Sequence, residues 1–308
     1  MSTIVVGVDI GGSHISCALY DIVEKAFAST KRFRRTVNSQ DAGDKILDSW
    51  AEAIGQAIEE AGEKGIAGIG FAMPGPFDYP NGISLIKGVH KFEDLYGVNI
   101  GEEIRKRLAL ADDLPVRFLN DAACFAIGES FRAPAIQHER LLAITLGTGF
   151  GTTFIDKHLP VAGQDGVPAD GFLYHIPYGE SMADDYFSTR WFQKEYLELE
   201  GKKLTGVKEL FELAKTDVVA ADIFKTFGKN LGAFLAPWLR NFRAEGLVMG
   251  GNIPAAHSLF LNELKLEFEK DSLNVSVFVS HQQEDASLIG SASLCDNTLY
   301  SRLISKNL

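Results

Sequence analysis

Two stretches of this sequence share one plan, and that plan limits what the chain can become. VVGVDIGGSHISCALYD (residues 5–21) and LLAITLGTGFGTTFID (residues 141–156) each join an apolar run to a glycine turn and then to a second run of strand character. A near-continuous apolar strand is one buried on both faces, so each stretch reads as a hairpin inside a covered sheet. Gly147 follows Gly11 by 136 residues (147 − 11 = 136). Two such hairpins in one chain suggest two related domains facing one cleft. Coincidence is the alternative, because glycine turns after strands are common.

The rest of the chain alternates strands with helices. Asp44 to Gly62 carries Ile46, Leu47, Trp50, Ile54, Ala57, Ile58 and Ala61 on one helical face. Ile66–Ala72 and Val116–Leu119 read as strands, and Ala122 to Arg132 as a helix with Asn120 or Asp121 at its start. Val207–Arg243 reads as mostly helical, with Pro237 as a kink or break. Leu247–Met249 and Val275–Val279 read as strands, Ala255–Lys270 and Ala286–Leu294 as helices. This alternation predicts an α/β fold with sheets covered on both faces. At roughly 150 residues per domain, 308 residues suggest two domains.

Charge and composition exclude several classes. A net charge of −11 argues against a nucleic-acid binder, which needs a basic field. Cys17, Cys124 and Cys295 are scattered with no CxxC pair, so neither a disulfide framework nor a structural zinc site is expected. The apolar run Ile4–Val8 stops at Asp9, too short for a signal peptide, and no segment approaches a membrane span. A cytoplasmic protein with no membrane partner is expected.

Glycine turns let backbone N–H groups approach a phosphate with no Cβ in the way. Gly11-Gly12 leads into a strand, and neither GxGxxG nor GxxxxGK[ST] describes the loops. What remains is two turns able to clamp a polyphosphate, or two ordinary hairpins. Asp9 ends a buried strand beside the first turn, where a carboxylate could hold Mg²⁺ through water; a turn aspartate bonded to backbone N–H groups is the plainer reading. In FLNDAACFAIGE, Asn120-Asp121 stands at a strand-to-helix junction. That position suits a helix cap, and it is also where α/β domains bind ligands.

DIGGSH, MPGPFDYPNG, NDAACFAIGE, LGTGFG, GLVMGGNI and DASLIGSASL, in this order from Val6 to about Leu294, resemble the ROK family of sugar kinases and repressors. The resemblance implies the actin-like, hexokinase-type (ribonuclease H-like) ATPase fold: two α/β domains around a deep interdomain cleft that holds ATP and sugar. It implies that Asp9, Gly11, Gly12 and Ser13 form a first phosphate motif, and Thr145, Gly147, Thr148 and Gly149 a second. Gly250, Gly251 and Asn252 match the adenosine motif. Asn120 matches a sugar-binding Asn, and Asp121 matches the catalytic base, which also touches sugar. His175 resembles a sugar-contacting His, and Asp184, in MADDYFS, stands where the family usually has a sugar-binding Glu.

The activity so implied is ATP- and Mg²⁺-dependent phosphorylation of a hexose hydroxyl, at C6 of a glucose-like sugar, by a protein whose relatives are commonly homodimers. A weakly catalytic sugar sensor and a kinase using polyphosphate are the alternatives. HIPYGESMAD has no cysteine and no room for the zinc loop of many members, so no zinc is expected. Phe172 stands near where a Glu is usual, Asp184 is shorter than Glu, and His14 replaces a common Lys. The first strand begins at about residue 4, which favours the kinase branch over the helix-turn-helix repressors. The expected domains are residues 1–119 with 286–308, and residues 120–285.

Overall fold

The computed structural model describes residues 3–88, 91–164, 166–281 and 283–305. Its contacts divide the chain into two compact units: Met1–Gly128 with Glu284–Leu308, and Glu129–Gln283.

In the first unit, β1 (Ile4–Ile10) and β2 (His14–Asp21) pair antiparallel across the first glycine turn. Short β3 (Ala26–Phe27) and β4 (Phe33–Thr36) both pair with β2. The helix α1 (Gly43–Ala61) follows, with Trp50, Ile54 and Ala57 fully buried on the expected face and Gly62 turning the chain at φ 58°. Then come β5 (Ile69–Met73), the small hairpin β6 (Phe77–Asp78) and β7 (Ile83–Ser84), α2 (Ile100–Leu108) and β8 (Val116–Asn120). The sheet order is β3-β2-β1-β5-β8, with β1, β5 and β8 parallel. The helix α3 (Asp121–Ser130) begins where β8 ends.

The second unit repeats the plan. Its strands β9 (Arg140–Leu146) and β10 (Phe150–Asp156) pair antiparallel across the second glycine turn, and β11 (Leu159–Val161) extends the meander. A small hairpin, β12 (Pro177–Tyr178) with β13 (Ser181–Met182), leads to α4 (Ala183–Tyr186), α5 (Thr189–Glu200), α6 (Val207–Leu213) and α7 (Val218–Phe242). Then β14 (Gly246–Gly250), α8 (Leu261–Lys270) and β15 (Ser276–Val279) complete it. The order is β11-β10-β9-β14-β15, again three antiparallel strands followed by parallel neighbours. The chain returns to the first unit as α9 (Gln283–Ser293) and α10 (Asn297–Ile304).

Three local expectations change. The run Val207–Arg243 is two helices, and Pro237 lies inside α7 without ending it. An interior proline costs ~3 kcal/mol, but Leu235, Ala236, Leu239 and Phe242 are buried around it, so packing outweighs the lost bond. The run Ala255–Lys270 opens as a 3₁₀ stretch, Ile253–Leu259, before α8. The crossing to the second unit falls after Gly128 instead of after Leu119. The reason is that α3 packs on the first unit: a Cβ on Gly128 would sit 1.9 Å from the Ala286 carbonyl oxygen, and one on Gly290 1.8 Å from that of Cys124.

Each unit has its own core. Val6, Val8, Trp50, Ile54, Phe71 and Phe92 belong to one, and Phe154, Phe187, Phe192, Phe227, Leu235 and Phe260 to the other.

Candidate active site

In the first unit, parallel pairing sets Asp9 level with Ala72, and Met73 level with Asn120. Asp9 and Asn120-Asp121 therefore stand at the carboxyl ends of β1 and β8, with β5 between them. Both aspartates are half-buried. Burial, reinforced by the charge of Asp121, pushes the Asp9 carboxyl up to about 7. Burial also raises Asp121, against the opposing pull of the Ala122 N–H and the Lys91 charge. Two carboxylates with raised pKa values at strand ends separated by a single strand are uncommon unless a cation or a proton-transfer role accompanies them.

Asn120 is tied at both ends. Its Oδ1 accepts from the Ala123 N–H at 3.2 Å, the geometry of a helix cap, and its Nδ2 donates to the Tyr79 hydroxyl at 3.3 Å. Tyr79 donates in turn to the Met73 carbonyl at 3.2 Å. The cap reading and a ligand role are thus compatible, because the cap holds the amide in one orientation. Asp121 Oδ1 accepts from the Ala122 N–H at 2.9 Å.

The first glycine turn is closed by a bond from Gly11 N to His14 O at 2.9 Å, and Ser13 O accepts from Val37 N at 2.8 Å. The next two N–H groups, of Gly12 and Ser13, have no partner among the described residues. A Cβ on Gly12 would meet nothing within 4 Å, so the turn is open there. His14 lies against the turn: its Nδ1 is 3.3 Å from Ser13 Oγ, and its ring edge is 3.3 Å from where a Gly11 Cβ would sit.

The second turn is built alike. Gly147 N bonds Gly149 O at 3.1 Å, and the N–H groups of Thr148 and Gly149 are left without partners among the described residues. Its carbonyls are occupied: Gly147 O accepts from Thr189 N at 2.8 Å and Thr189 Oγ1 at 2.9 Å, and Thr148 O from Arg190 Nη1 at 3.2 Å. A loop whose oxygens are tied back while successive N–H groups stay free is a nest for an anion. Thr145 pairs with Gly250, and Gly251 has φ 92° with its missing Cβ 2.1 Å from Leu146 O. Only glycine fits there, so the Gly250-Gly251 turn, with exposed Asn252 after it, abuts the second glycine loop.

Asp184 and His175 lie on a segment tied together by Asp184 N to Tyr174 O and Ala183 N to Ile176 O, both 2.9 Å. His175 is 41% exposed, and its Nδ1 is 3.6 Å from Asp170 Oδ2. Asp170 Oδ1 also accepts from Phe172 N at 3.1 Å. Asp184 faces the second glycine loop: it accepts from Phe150 N at 2.6 Å and pairs with Arg190 Nη2 at 2.5 Å. Tyr79 and Arg190 are the residues that sequence reasoning missed. Tyr79 stood inside the quoted MPGPFDYPNG, and Arg190 stands just beyond MADDYFS; neither has a spacing that announces its partner. Among the described residues no cluster of three or more His, Cys, Asp or Glu could hold a metal ion, and no helix is long and apolar enough to cross a membrane.

Two α/β units, each a three-stranded antiparallel meander continued by parallel strands, with a glycine turn at the same place in both, define the actin-like ATPase fold. The chain matches the ROK family over residues 5–298, and it belongs to that family. Among its relatives are a glucokinase of Thermotoga maritima, 26% identical over 94% of this chain and 96% of that one, and an N-acetyl-D-glucosamine kinase of Haemophilus influenzae, 25% identical over 80% and 83%. Its fold is shared by the ROK hexokinase of Thermus thermophilus (TM-score 0.77, 22% identity, 99% and 100% covered). A ROK family glucokinase from Streptomyces griseus, solved with glucose and AMPPNP, is also similar (TM-score 0.70, 22% identity, 94% and 98% covered).

Proposed function

We propose that this chain is an ATP-dependent sugar kinase that phosphorylates the C6 hydroxyl of a glucose-like hexose, with Asp121 as general base. The observation that carries the reading is the raised-pKa pair Asp9 and Asp121 at the carboxyl ends of β1 and β8, parallel strands with β5 between them, beside a turn with two unpaired N–H groups. The sugar and the nucleotide are taken from the ROK kinase relatives.

In this reading the hexose oxygen bonds the γ-phosphorus of ATP, the bond to the β–γ bridging oxygen breaks, ADP leaves, and Asp121 takes the hydroxyl proton. Asn120, held by Tyr79 and its cap bond, orients the sugar hydroxyls next to the base. His175 is a sugar contact on the family pattern, the pattern that also assigns Asp184 to the sugar. Each glycine turn by itself offers unpaired N–H groups to phosphate, Gly12 and Ser13 in the first unit and Thr148 and Gly149 in the second, and Gly250, Gly251 and Asn252 match the family's adenosine motif.

Asp9 takes no hydrogen bond from a side chain or loop among the described residues and lies within electrostatic reach of a second carboxylate, a donor that fits Mg²⁺ held through water. When bound, Mg²⁺ supplies charge neutralisation on the phosphates. Three buried free cysteines suit a reducing cytoplasm.

The test is ADP release with a panel of hexoses and N-acetylated amino sugars. Glucose-dependent release with the product phosphorylated at C6 supports the reading, and no release with any sugar overturns it. Because Asp121 acts ionised and burial raises its pKa, kcat/KM should fall on the acid side at a higher pH than for an ordinary carboxylate.

A further inference from the structure

The pattern implied by the family gives Asp184 to the sugar. The contacts of its side chain point elsewhere. Oδ1 accepts from Phe150 N at 2.6 Å, and Oδ2 meets Arg190 Nη2 at 2.5 Å. Both oxygens are therefore engaged by protein donors, and the side chain is only 23% exposed. The same Arg190 reaches on, through Nη1, to Thr148 O at 3.2 Å, and is 3.5 Å from Asp185 Oδ1. Thr189, its neighbour, takes Gly147 O twice. One short segment, Asp184 to Arg190, thus engages the glycine loop at Gly147, Thr148 and Phe150.

The consequence is local electrostatics. A carbonyl oxygen turned towards a phosphate would repel it, and a bond from a guanidinium both turns Thr148 O aside and neutralises it. The loop N–H groups of Thr148 and Gly149 then remain the free polar groups of the turn. Side-chain length matters as well. The missing Cβ of Gly149 would sit 3.2 Å from Asp184 Oδ1, so the carboxylate packs directly against the loop, and an extra methylene at residue 184 would push into it.

We propose that Asp184 and Arg190 form a brace that sets the second glycine loop in its phosphate-receiving shape, making both of them positioning residues for the nucleotide and removing Asp184 from the sugar contacts. The proposal rests on the reading of this loop as a phosphate site. Calorimetric titration with AMPPNP, beside steady-state KM values for ATP and glucose, tests it in the full-length chain. Asp184→Asn keeps an acceptor for Phe150 N and loses the ion pair; Arg190→Met loses the bond to Thr148 O as well. Both should weaken AMPPNP binding and raise the ATP KM by about tenfold, the loss of a charge-assisted bond. The glucose KM should stay within about twofold. Arg190→Lys should recover part of the loss.

A raised glucose KM with unchanged AMPPNP binding overturns the brace and returns Asp184 to the sugar. If Asp184→Asn fails to fold by thermal melting, Arg190→Met, at a half-exposed side chain, decides alone: unchanged AMPPNP binding in it overturns the proposal. A wild-type chain that binds AMPPNP yet phosphorylates no sugar defeats the kinase reading, while the binding measurements still judge the brace.

Discussion

Asp121 works in an environment that denies it easy ionisation. Burial raises its pKa, while the Ala122 N–H and the Lys91 charge restrain the rise. That leaves a carboxylate more basic than an exposed one, which is the property a general base needs. Asp121→Asn should leave the melting temperature nearly unchanged, since the amide oxygen can still accept from Ala122 N. Its kcat should fall by at least ~10²-fold; near-normal turnover in the ADP-release assay would remove the base from Asp121. Glu129 is raised by the same cause, burial, although Ser280 Oγ donates to it at 2.7 Å and Arg132 and His281 attract its charge. The sign follows from linkage. The folded state holds this proton more tightly than the unfolded state, so stability from Glu129 is present at low pH and lost as pH rises through its raised value. Glu129→Gln, which cannot ionise, should flatten the fall in melting temperature as pH rises above the ordinary glutamate value of 4.5. An unchanged pH profile would show that Glu129 is not the group responsible.

At the scale of elements, α9 is seated on the first sheet through glycines that no motif announced. A Cβ on Gly7 would lie 2.2 Å from Leu288 O, and one on Gly70 1.8 Å from Ser291 O. The helix backbone itself rests on β1 and β5, the strands that carry or flank the site. Gly70→Ala must push helix and sheet apart, and should cost about 1–3 kcal/mol in urea unfolding, with a proportionate loss of activity because the ends of β1 and β8 move. A stability loss well under that range would mean that α9 can shift freely. The two glycine turns show the complementary use of the residue. There the space is left open, at Gly12 and Gly147 nothing lies within 4 Å of a Cβ, and the purpose is access to backbone N–H groups.

At the scale of the whole molecule, two cores with separate residues sit in two units, one around Trp50 and Phe71, the other around Phe192 and Phe227. Phe227→Ala should cost about 3–5 kcal/mol within the second unit, and amide exchange should speed up in β9, β14 and α7 with little change in β1 and β5. Uniform acceleration through both units would show a single cooperative fold. Much of this organisation was legible in the sequence. The apolar runs at residues 5–8 and 141–146 became central strands because burial on both faces needs nothing beyond local pattern. The glycine turns, the helix face of α1 and the cap at Asn120 were legible for the same reason: each is a property of neighbours in the chain. That α7 runs on past Pro237, read as a kink or break, was not legible as such, because the packing that tolerates the proline comes from residues distant in sequence. The crossing after Gly128 was hidden because it depends on α3 touching α9, more than 150 residues later. Sequence by itself determined the α/β class, the paired hairpins and the acids at the strand end and helix start. Only the tertiary structure decided that Tyr79 holds Asn120, that Arg190 and Asp184 clasp the second loop, and that the aspartates are buried enough to change their basicity. Those facts are distances and desolvation between residues far apart in the chain, and no local pattern contains them.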